Sequence, residues 1–468
     1  MKTQNVRNSR KKFTVTNNQS THSKRSKTMN AISVLRVGLV ALMSLFLVSS
    51  LMFAGDFKNA GTLYNKATKT FTVANGNFQN YNASAGKVYN AGTIQITAAL
   101  KDFLNGNGVL VGYVRNDTLA TAGLITVTRH FVNDIGWTQN QTGSIQLGGD
   151  LTSTGATFVT NLGEVDYDGA AAQAVYPTTY NILRLNGSGG TKTLGTGTTT
   201  VNNTFQLAAS NSVAVGTNTL NLDGTVTVGG SLTSAATGTV AYNGAAQSVI
   251  PANYGNLTIA GTATKTAASG TVGIASAYAN LVGTTLSVVD LNLGASSTFA
   301  SNAGTTKISG TATIGVGLGT NLGGTFDYTA TSATQTVASA QYTNLTISAS
   351  GGTGVTLNST YYISGNYTLS GTTARTYTGS TVRFNGAAVQ VITADATGAY
   401  NNVDFFNTGE KQITGAVTVA GAALVDVSVT GAGNNGVYVM AAGTLTINAS
   451  GSLTNDGVLT NDGTITVN

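Results

Sequence analysis

Side chains that could perform acid–base catalysis are scarce in this sequence. His130 is the only histidine beyond residue 22, and it follows Arg129 and precedes Asp134 and Trp137. A small binding site and an ordinary surface loop both explain this group, and we favour the loop. An enzyme needs separate groups in acid and base roles, and one histidine does not provide a Ser/His/Asp set. We therefore predict no catalytic residues and no enzymatic activity.

Three alternating carboxylates form the clearest candidate for a cation site. Glu164, Asp166 and Asp168 are separated by single residues, which places them on one outward face of a strand. Carboxylates in such an array could bind a hard cation such as calcium. The equivalent residues of the next repeat are not acidic: they are Thr239, Ala241 and Asn243. We therefore interpret the three acids as a solvated strand face and predict no metal site.

Two further patterns look like binding motifs but are explained better as turns. Asp456 and Asp462 lie six residues apart, yet the nine-residue calcium-binding repeat is absent. The Gly-rich run from Gly187 to Gly190 lacks both the Lys-Ser/Thr ending and the following helix of a phosphate-binding loop. We predict turns at both places and no cofactor.

The few charged residues are distributed unevenly along the chain. Only 9% of the 468 residues are charged, and the formal net charge is +6, from 23 basic and 17 acidic residues. Nine basic residues lie within the first 36 positions and every acid lies from Asp56 onward, so the remainder carries 14 minus 17, or −3. A weakly acidic body cannot neutralise phosphates, which excludes nucleic acid as a partner. The chain has no cysteine, which excludes disulfides and thiolate metal sites.

The N-terminus has the layout of a secretory signal. A basic leader, residues 1–36, precedes the uncharged segment Val37 to Ala54. We predict a signal helix over residues 37–54, cleavage near Ala54, and export to the cell surface or the extracellular space. The alternative is an uncleaved anchor in the inner membrane, since about 18 apolar residues reach the lower limit for a transmembrane helix. Met29 is a second candidate for the start of the chain.

Residues 161–440 contain four copies of one motif, which is the strongest indication of the fold. Each copy has an alternating apolar triplet that ends in an aromatic residue, then a glutamine, a tyrosine and a second alternating triplet. The aromatic residues are Tyr167, Tyr242, Tyr328 and Phe384. The glutamines are Gln173, Gln247, Gln335 and Gln390, and the tyrosines after them are Tyr180, Tyr254, Tyr342 and Tyr400. We expect the aromatic residues to point inward, together with the apolar residue two positions earlier.

Two smaller features accompany the motif. An asparagine stands two positions after the tyrosine in three copies, at Asn256, Asn344 and Asn402, whereas the first copy has Ile182. The repeated Tyr and Asn residues are the candidates for contacts with sugars. Tight turns with positive φ are predicted at three pairs: Asp168-Gly169, Asn243-Gly244 and Asn385-Gly386.

The distances between the copies favour a solenoid. Successive glutamines, from Gln173 to Gln390, are 74, 88 and 55 residues apart. A tandem array of Ig-like sandwiches, the main structural alternative, predicts equal repeat lengths. In a solenoid every coil contacts only its neighbours, so a copy can differ in length by an inserted coil of about 20 residues. We predict an all-β chain, an elongated parallel β-helix or solenoid of roughly 20-residue coils, after the N-terminal signal helix.

Regions outside the four copies carry a shorter unit, Asn-x-Gly-Thr followed by Leu or Ile. It starts at Asn59 and Asn90 in the N-terminal β-repeat region, residues 55–160, and at Asn461 in the C-terminal region, residues 441–468. A related unit, Asn-Asp-Gly, begins at Asn455. In stacked coils the glycine turns the chain, the apolar residue points inward, and the asparagine bonds to an asparagine one rung away.

These units, with the strand sequences from Tyr254 to Ile259 and from Tyr342 to Ile347, resemble the repeat regions of adhesin-like surface proteins of Gram-negative bacteria. Autotransporter passengers and filamentous-haemagglutinin-like β-helices belong to this group. The resemblance covers nearly all of the chain after the leader and implies an exported β-solenoid on the outer surface. The chain departs from the autotransporters after Gly443, where coil-like units continue to Asn468, which leaves the route of export open.

The functional hypothesis that fits these observations is a non-enzymatic, exported surface protein, a structural and adhesive β-solenoid stalk. Its partners would be surface glycans or other cell-surface proteins, bound through many weak polar contacts. A polysaccharide-acting β-helix enzyme, a lyase or a hydrolase, is the main alternative, and it needs clustered Asp, Arg or Lys residues in a cleft. The 14 basic residues after the leader are scattered singly, which favours the stalk.

Overall fold

The chain forms a parallel β-solenoid. A computed structural model describes residues 50–468 apart from 81–85, 100, 107–111, 117–122, 135–136, 155–156, 332, 352 and 427–435. Within this part every regular element is a β-strand. The basic leader and residues 37–49 of the predicted signal helix lie outside the described residues. The last residues of that predicted segment form the first strand, Ser50–Phe53.

The N-terminal region consists of coils with one strand on each of three faces, and strands of successive coils pair in parallel. Face 1 contains β1 (Ser50–Phe53), β4 (Thr70–Val73), β7 (Thr93–Ile96), β10 (Leu124–Val127) and β13 (Ser144–Leu147). Face 2 contains β2 (Phe57–Asn59), β5 (Phe78–Asn80), β8 (Phe103–Asn105), β11 (Phe131–Asp134) and β14 (Leu151–Thr154). Face 3 contains β3 (Thr62–Asn65), β6 (Gly86–Asn90), β9 (Gly112–Asn116), β12 (Trp137–Gln139) and β15 (Thr157–Val159).

The same three faces continue after residue 160, with longer strands that bend around corners. In chain order these strands are β16 (Glu164–Tyr167), β17 (Gln173–Val175), β18 (Thr179–Leu185), β19 (Thr191–Leu194), β20 (Thr198–Leu207), β21 (Ser212–Gly216), β22 (Thr219–Leu222), β23 (Thr225–Val228), β24 (Ser231–Ser234), β25 (Thr239–Tyr242), β26 (Gln247–Ser248), β27 (Asn253–Ile259), β28 (Thr264–Asn280), β29 (Thr285–Leu293), β30 (Thr305–Ile308) and β31 (Ala312–Ile314). Strand β28 contributes to three ladders, through stretches that begin at Thr264, Thr271 and Ala277.

The C-terminal part of the solenoid contains the remaining strands. They are β32 (Thr325–Tyr328), β33 (Thr334–Thr336), β34 (Gln341–Tyr342), β35 (Asn344–Ile347), β36 (Gly354–Thr356), β37 (Thr360–Ile363), β38 (Tyr367–Leu369), β39 (Arg375–Thr376), β40 (Thr381–Phe384), β41 (Gln390–Ile392), β42 (Asn402–Phe406), β43 (Lys411–Ile413), β44 (Ala416–Val419), β45 (Ala422–Asp426), β46 (Val437–Val439), β47 (Thr444–Ile447), β48 (Ser452–Asn455), β49 (Leu459–Asn461) and β50 (Thr464–Val467). The last three strands form the final coil, one strand on each face.

The register of the ladders confirms the predicted coil length. Ile125 pairs with Ile145, and Leu286 pairs with Thr306, in each case 20 residues later. The parallel pairing throughout excludes the alternative of tandem Ig-like sandwiches, which are built from antiparallel sheets.

One hydrophobic core runs through the solenoid. Inward and outward side chains alternate along each strand, as a period of two requires. The motif aromatics and the apolar residues two positions before them are buried, which confirms their predicted inward orientation; these pairs are Val165 and Tyr167, Val240 and Tyr242, Phe326 and Tyr328, and Val382 and Phe384. On face 2 the rings of Phe78, Phe103 and Phe131 stack, with centroids 4.6 and 4.7 Å apart.

The four motif copies do not all lie on the same face. The aromatic strand of the first copy, β16, pairs with β13 on face 1, whereas that of the second, β25, pairs with β22 on face 3. The third, β32, returns to face 1 beside β30, and the fourth, β40, lies on face 3 beside β37. The first two glutamines are therefore separated by one face less than four coils. The second and third are separated by one face more than four coils, and the third and fourth by one face less than three coils. Our expectation that copies differ by whole inserted coils is corrected, because single faces are added or removed as well.

Candidate functional site

Each motif copy interrupts some of the ladders between coils. In the first copy, β16 pairs with β18, so the ladder on face 1 continues. On face 2, β14 and β17 belong to different sheets, and on face 3 so do β15 and β18. The later copies also carry one ladder through, by pairing β25 with β27, β32 with β35, and β40 with β42. We call each copy a junction. Backbone groups beside the interruption need other hydrogen-bond partners.

The repeated glutamine supplies those partners. In all four junctions its side chain is buried and its Oε1 accepts a bond from a backbone N–H, at 2.7–3.0 Å. Its Nε2 donates to two carbonyls one coil earlier; for Gln335 these belong to Ile308 and Gly310, both at 2.8 Å. One amide side chain therefore satisfies three backbone groups where two strands do not pair. This explains why glutamine recurs, since neither a carboxylate nor a hydroxyl offers two donors and an acceptor.

A glycine stands beside three of these glutamines because there is no room for a side chain. A Cβ on Gly169 would lie 2.1 Å from the carbonyl oxygen of Gly148 and 2.9 Å from Cδ of Gln173. The same holds at Gly244 and Gly386. None of these three glycines has a positive φ. Our prediction of positive-φ turns is therefore wrong at these positions, and close approach of the backbone is the reason for glycine.

A buried lysine follows the glutamine one coil later in three junctions. Lys192, Lys265 and Lys411 pair in register with the glutamines of the first, second and fourth copies. Lys192 Nζ donates to the carbonyl of Gly169 at 2.6 Å, and Lys411 Nζ donates to that of Gly386 at 2.8 Å. Burial lowers the pKa of all three amines, that of Lys411 to about 8. We did not predict these lysines, although their recurrence 18 to 21 residues after the glutamine is visible in the sequence.

The two repeated tyrosines form a closed ring of hydrogen bonds. The hydroxyl of Tyr167 accepts from the N–H of Tyr176 at 3.0 Å, and the hydroxyl of Tyr180 donates to the carbonyl of Tyr176 at 2.6 Å. Because Tyr180 uses its proton there, Tyr167 must donate across the 3.1 Å between the hydroxyls. The second and third copies repeat this ring around Ile250 and Ala338. These tyrosines are buried, so they cannot contact a sugar.

The fourth junction replaces the first tyrosine with Phe384 and rearranges the core. The hydroxyl of Tyr400 donates to the carbonyl of Thr393 at 2.7 Å instead. Nearby, Asp395 accepts from Arg375 Nε at 2.9 Å and from the Tyr377 hydroxyl at 2.7 Å. Burial alone would raise the pKa of Asp395, but the bonds from Arg375 and Tyr377 outweigh burial and the pKa is lowered. This buried group of charges has a structural role in place of the tyrosine ring.

The repeated asparagines lie on the outer side of the strands, where they are half-buried. Asn344 Oδ1 accepts from the N–H of Asn366 at 2.9 Å, and Asn402 Oδ1 accepts from the N–H of Ala422 at 2.8 Å. Asn256 Nδ2 donates to a backbone carbonyl at 3.1 Å. All three asparagines therefore bond to backbone groups of neighbouring coils.

The acidic triplet is not a solvated strand face. Glu164 forms an ion pair with Arg184 at 2.8 Å, and Asp166 is only 6% exposed. Burial is the main cause that raises the pKa of Asp166 to about 6, against a bond from Asn186 at 3.0 Å that lowers it. Burial also raises the pKa of Asp168. Our interpretation of these acids is corrected: the flanking rungs cover Asp166, which the alternation pattern alone does not show.

The remaining sequence candidates lie at corners between strands. His130 precedes β11; its N–H donates to Asp102 at 3.1 Å, and its Nδ1 accepts from the N–H of Asp150 at 2.8 Å. Asp456 and Asp462 follow β48 and β49. Gly187, Gly189 and Gly190 have positive φ in the corner between β18 and β19. Among the described residues no group of three or more His, Asp or Glu side chains is arranged to hold a metal ion.

An aromatic column lies on the outer side of face 3 in the N-terminal region. It consists of Tyr64, Tyr89 and Tyr113. The rings of Tyr64 and Tyr89 stack with centroids 4.9 Å apart, and those of Tyr89 and Tyr113 are 5.6 Å apart. Tyr64 is 66% exposed. In register, Lys87 adjoins Tyr113 and Arg115 adjoins Tyr89, so cationic residues flank the column. We did not predict this column; the Tyr-Asn pairs ending β3 and β6 are the signal.

A second outer cluster, the Arg383 cluster, lies on face 3 near the fourth junction. Tyr362, Arg383 and Asp404 occupy one row on three successive rungs, and Arg383 forms an ion pair with Asp404. The Arg383 guanidinium lies 5.1 Å from the centroid of the Tyr362 ring and 5.2 Å from that of Phe406. Phe406 is 40% exposed. Aromatic rings and a cation therefore meet on the surface.

Comparison of the chain with protein families, with known proteins and with solved structures finds no match. No helix among the described residues is long and apolar enough to span a membrane.

Proposed function

We propose that this chain is an exported, non-enzymatic surface protein, a structural and adhesive β-solenoid stalk that binds surface glycans. The supporting observation is the division of residues between the inside and the outside of the solenoid. The recurring Gln, Tyr and Lys residues of the junctions are buried and bond to backbone groups or to one another. The aromatic column and the Arg383 cluster remain on the outer side of face 3.

These two outer clusters have the chemistry that sugar recognition uses. An aromatic ring combines a large apolar surface with a polar edge, so it can pack against the C–H face of a pyranose. Arginine and lysine donate hydrogen bonds to sugar hydroxyls. Each contact is weak, but several contacts along one rod raise the overall affinity when a polymer engages them together.

Cell fractionation with mass measurement of the N-terminus tests export. We expect the chain in the surface or extracellular fraction, with a mature N-terminus near Gly55. A chain that stays in the cytoplasm with its leader intact would contradict the proposal.

Binding to an array of surface polysaccharides tests adhesion. We expect Tyr64→Ala with Tyr89→Ala, and separately Arg383→Ala with Phe406→Ala, to weaken glycan binding by about tenfold or more. The matched control is Thr346→Ala with Thr418→Ala, two outward positions on other faces. Equal binding by all variants would contradict the adhesive role, and cleavage of a polysaccharide by the purified chain would replace the stalk with an enzyme.

A further inference from the structure

The charged residues of the solenoid are divided along its length. Residues 55–160 contain seven basic and five acidic residues, a net charge of +2, whereas residues 161–468 contain seven basic and twelve acidic residues, a net charge of −5. None of the five strands on face 3 of the N-terminal region contains Asp or Glu. The acids of this region lie elsewhere: Asp56, Asp102 and Asp150 directly precede strands of face 2, Asp134 ends one, and Asp117 lies outside the described residues.

Cations stand among the rings of the aromatic column on this face. Lys87 is exposed and adjoins Tyr113 in register, and Arg115 adjoins Tyr89. Lys66 is exposed in the corner that follows β3. Rings and cations are therefore mixed on a face whose strands supply no carboxylate, which is the charge pattern that attracts an anionic ligand.

The stacked rings of the column favour a ligand that accepts hydrogen bonds. Tyr64 and Tyr89 are nearly parallel, with an interplanar angle of 11°, so each ring covers one face of the other. A nucleic-acid base binds by stacking on an open ring face, and this pair has fewer of them. The edge of an aromatic ring is the positive part of its quadrupole, and the phenolic hydroxyl can donate a hydrogen bond. The rings therefore suit anionic oxygens better than bases.

An asparagine ladder lies directly behind the column. The asparagines that end β3, β6 and β9 each donate from Nδ2 to Oδ1 of the asparagine one coil later, at 2.8–2.9 Å; they are Asn65, Asn90 and Asn116, and the last donates to Asn140. A second ladder with the same distances, on faces 2, joins Asn59, Asn80, Asn105 and Asn133. Both ladders confirm our prediction of bonds between asparagines of adjacent rungs.

The first of these ladders fixes the backbone that carries the column. Its asparagines immediately follow Tyr64, Tyr89 and Arg115 in the sequence. Each also donates to a backbone carbonyl of the next face, at 2.9–3.1 Å. The spacing of the outer residues from rung to rung is therefore set before a ligand arrives, which reduces the entropy lost on binding.

The Arg383 cluster has a different charge. Its guanidinium already forms an ion pair with Asp404, whose side chain is only 5% exposed. An anionic ligand at that cluster would lie beside a carboxylate, and like charges in contact oppose binding. A preference for anionic ligands is therefore expected of the aromatic column and not of the Arg383 cluster.

We infer that the N-terminal part of face 3 binds anionic polysaccharides, polymers that carry carboxylate or sulfate groups, along the aromatic column. Hydrogen bonds from Lys66, Lys87 and Arg115 to anionic oxygens are stronger than bonds to neutral hydroxyls. A polymer that spans several rungs makes several such contacts at once. This inference rests on the proposed function, because it names the class of glycan that the stalk binds.

Binding of the purified chain to pairs of polymers that share one backbone tests this inference. The pairs are dextran sulfate with dextran, and polygalacturonate with its methyl ester. We expect the charged member of a pair to bind about tenfold more tightly or better, and the difference to shrink as salt is added. A difference in one pair alone supports the inference and identifies the anionic group as sulfate or as carboxylate.

A pair of lysine variants locates the site. Lys66→Gln with Lys87→Gln should weaken binding to the charged polymer by about tenfold or more and leave binding to its neutral partner unchanged. The matched control is Lys58→Gln with Lys307→Gln, which removes the same charge from exposed positions on faces 2 and 1. The control variant should bind like the natural chain.

Three results would overturn the inference: equal binding of the charged and neutral members in both pairs, equal loss of binding in the two lysine variants, or equally tight binding of single-stranded DNA. Failure of the proposed function has a different signature, since the chain would then bind none of the polysaccharides, charged or neutral.

Discussion

The N-terminal coils and the junctions meet the same requirement in different ways. Both contain buried polar groups, which need hydrogen-bond partners. In the N-terminal coils the partner is the same type of residue one rung away. The side-chain amide of Asn80 donates to that of Asn105, as part of an asparagine ladder that repeats from coil to coil. In a junction the partner is a single side chain, such as Gln247, which bonds to three backbone groups on two coils.

This difference determines how many hydrogen bonds depend on any one residue. An asparagine ladder distributes its hydrogen bonds over several equivalent residues, and each inner asparagine has another asparagine on both sides. A junction concentrates its bonds on one glutamine, whose removal leaves backbone groups that cannot move toward water without opening a coil. We therefore expect the junctions to be more sensitive to substitution than the ladders.

Gln247→Leu should have the largest effect. It leaves the N–H of Gly244 and the carbonyls of Leu222 and Gly224 without partners, which costs roughly 4 kcal/mol of local stability. Hydrogen–deuterium exchange of β25–β27 measures this opening free energy. The control is Gln146→Leu, at an outward glutamine whose Oε1 accepts from the Thr126 hydroxyl at 3.2 Å. Similar effects in both variants would remove the distinction between junction and surface.

Asn105→Leu should have a smaller effect, spread over a longer stretch. Asn105 accepts from Asn80 and donates to Asn133 at 2.8 Å and to Thr138 at 3.0 Å. We expect a loss of about 3 kcal/mol, shared by the coils on both sides because the ladder is cut. Faster exchange in β5, β8 and β11 together would agree with this, whereas a change confined to β8 would show that the ladder does not act as a unit. Leu104→Ala, an outward change on the same strand, is the control.

Asp166→Asn should change how stability depends on pH. The folded chain holds the pKa of Asp166 at about 6, above the usual value of 3.8. The contribution of the protonated Asp166 side chain to the free energy of unfolding is therefore fully present below pH 4, and it is lost as the pH rises through 6. The asparagine variant cannot ionise, and its amide oxygen can still accept from Asn186. We expect it to gain about 2 kcal/mol over the natural chain at pH 8 and nothing at pH 4. Thermal unfolding at both pH values measures this, with Asp456→Asn as the exposed control; a gain that is the same at both pH values would disprove it.

Tyr328→Phe should have the smallest effect. The N–H of Ala338 loses its acceptor, but the Tyr342 hydroxyl still donates to the carbonyl of Ala338 at 2.6 Å. The fourth junction already has phenylalanine at this position, Phe384, and redirects its tyrosine to a carbonyl. We expect a loss of about 1 kcal/mol, measured by exchange of β32–β35. Tyr342→Phe removes both bonds of the second hydroxyl and should cost more; the reverse order would contradict the ring of hydrogen bonds.

The fold could be predicted because alternation and repetition are local features of the sequence. The period of two in the strand from Val165 to Tyr167 sets which side chains point inward, and the recurrence of the motif indicates stacked coils. The face on which each copy lies could not be predicted, because it depends on the length of every corner between two copies. The sequence also could not show why position 169 is a glycine, since both a positive φ and close packing of the backbone favour glycine.

The roles of the candidate residues were harder to predict than their positions. The sequence shows that Tyr180 and Gln173 recur, but recurrence fits both a binding surface and a core device. Only the pairing between coils shows that these residues stand where ladders are interrupted. The outer aromatic column was missed for the opposite reason: Tyr64 and Tyr89 lie outside the four copies, and their proximity depends on a register that is not local.

The alternation of the junctions between faces has a mechanical consequence. At a junction, fewer continuous β-sheets connect the coils before it to the coils after it. The sheet that does continue contains the aromatic strand, and it lies on face 1 at β16 and on face 3 at β25. A solenoid that is continuous along only one sheet bends most easily about that sheet. Successive junctions should therefore flex in different planes, which would let the solenoid bend in more than one direction.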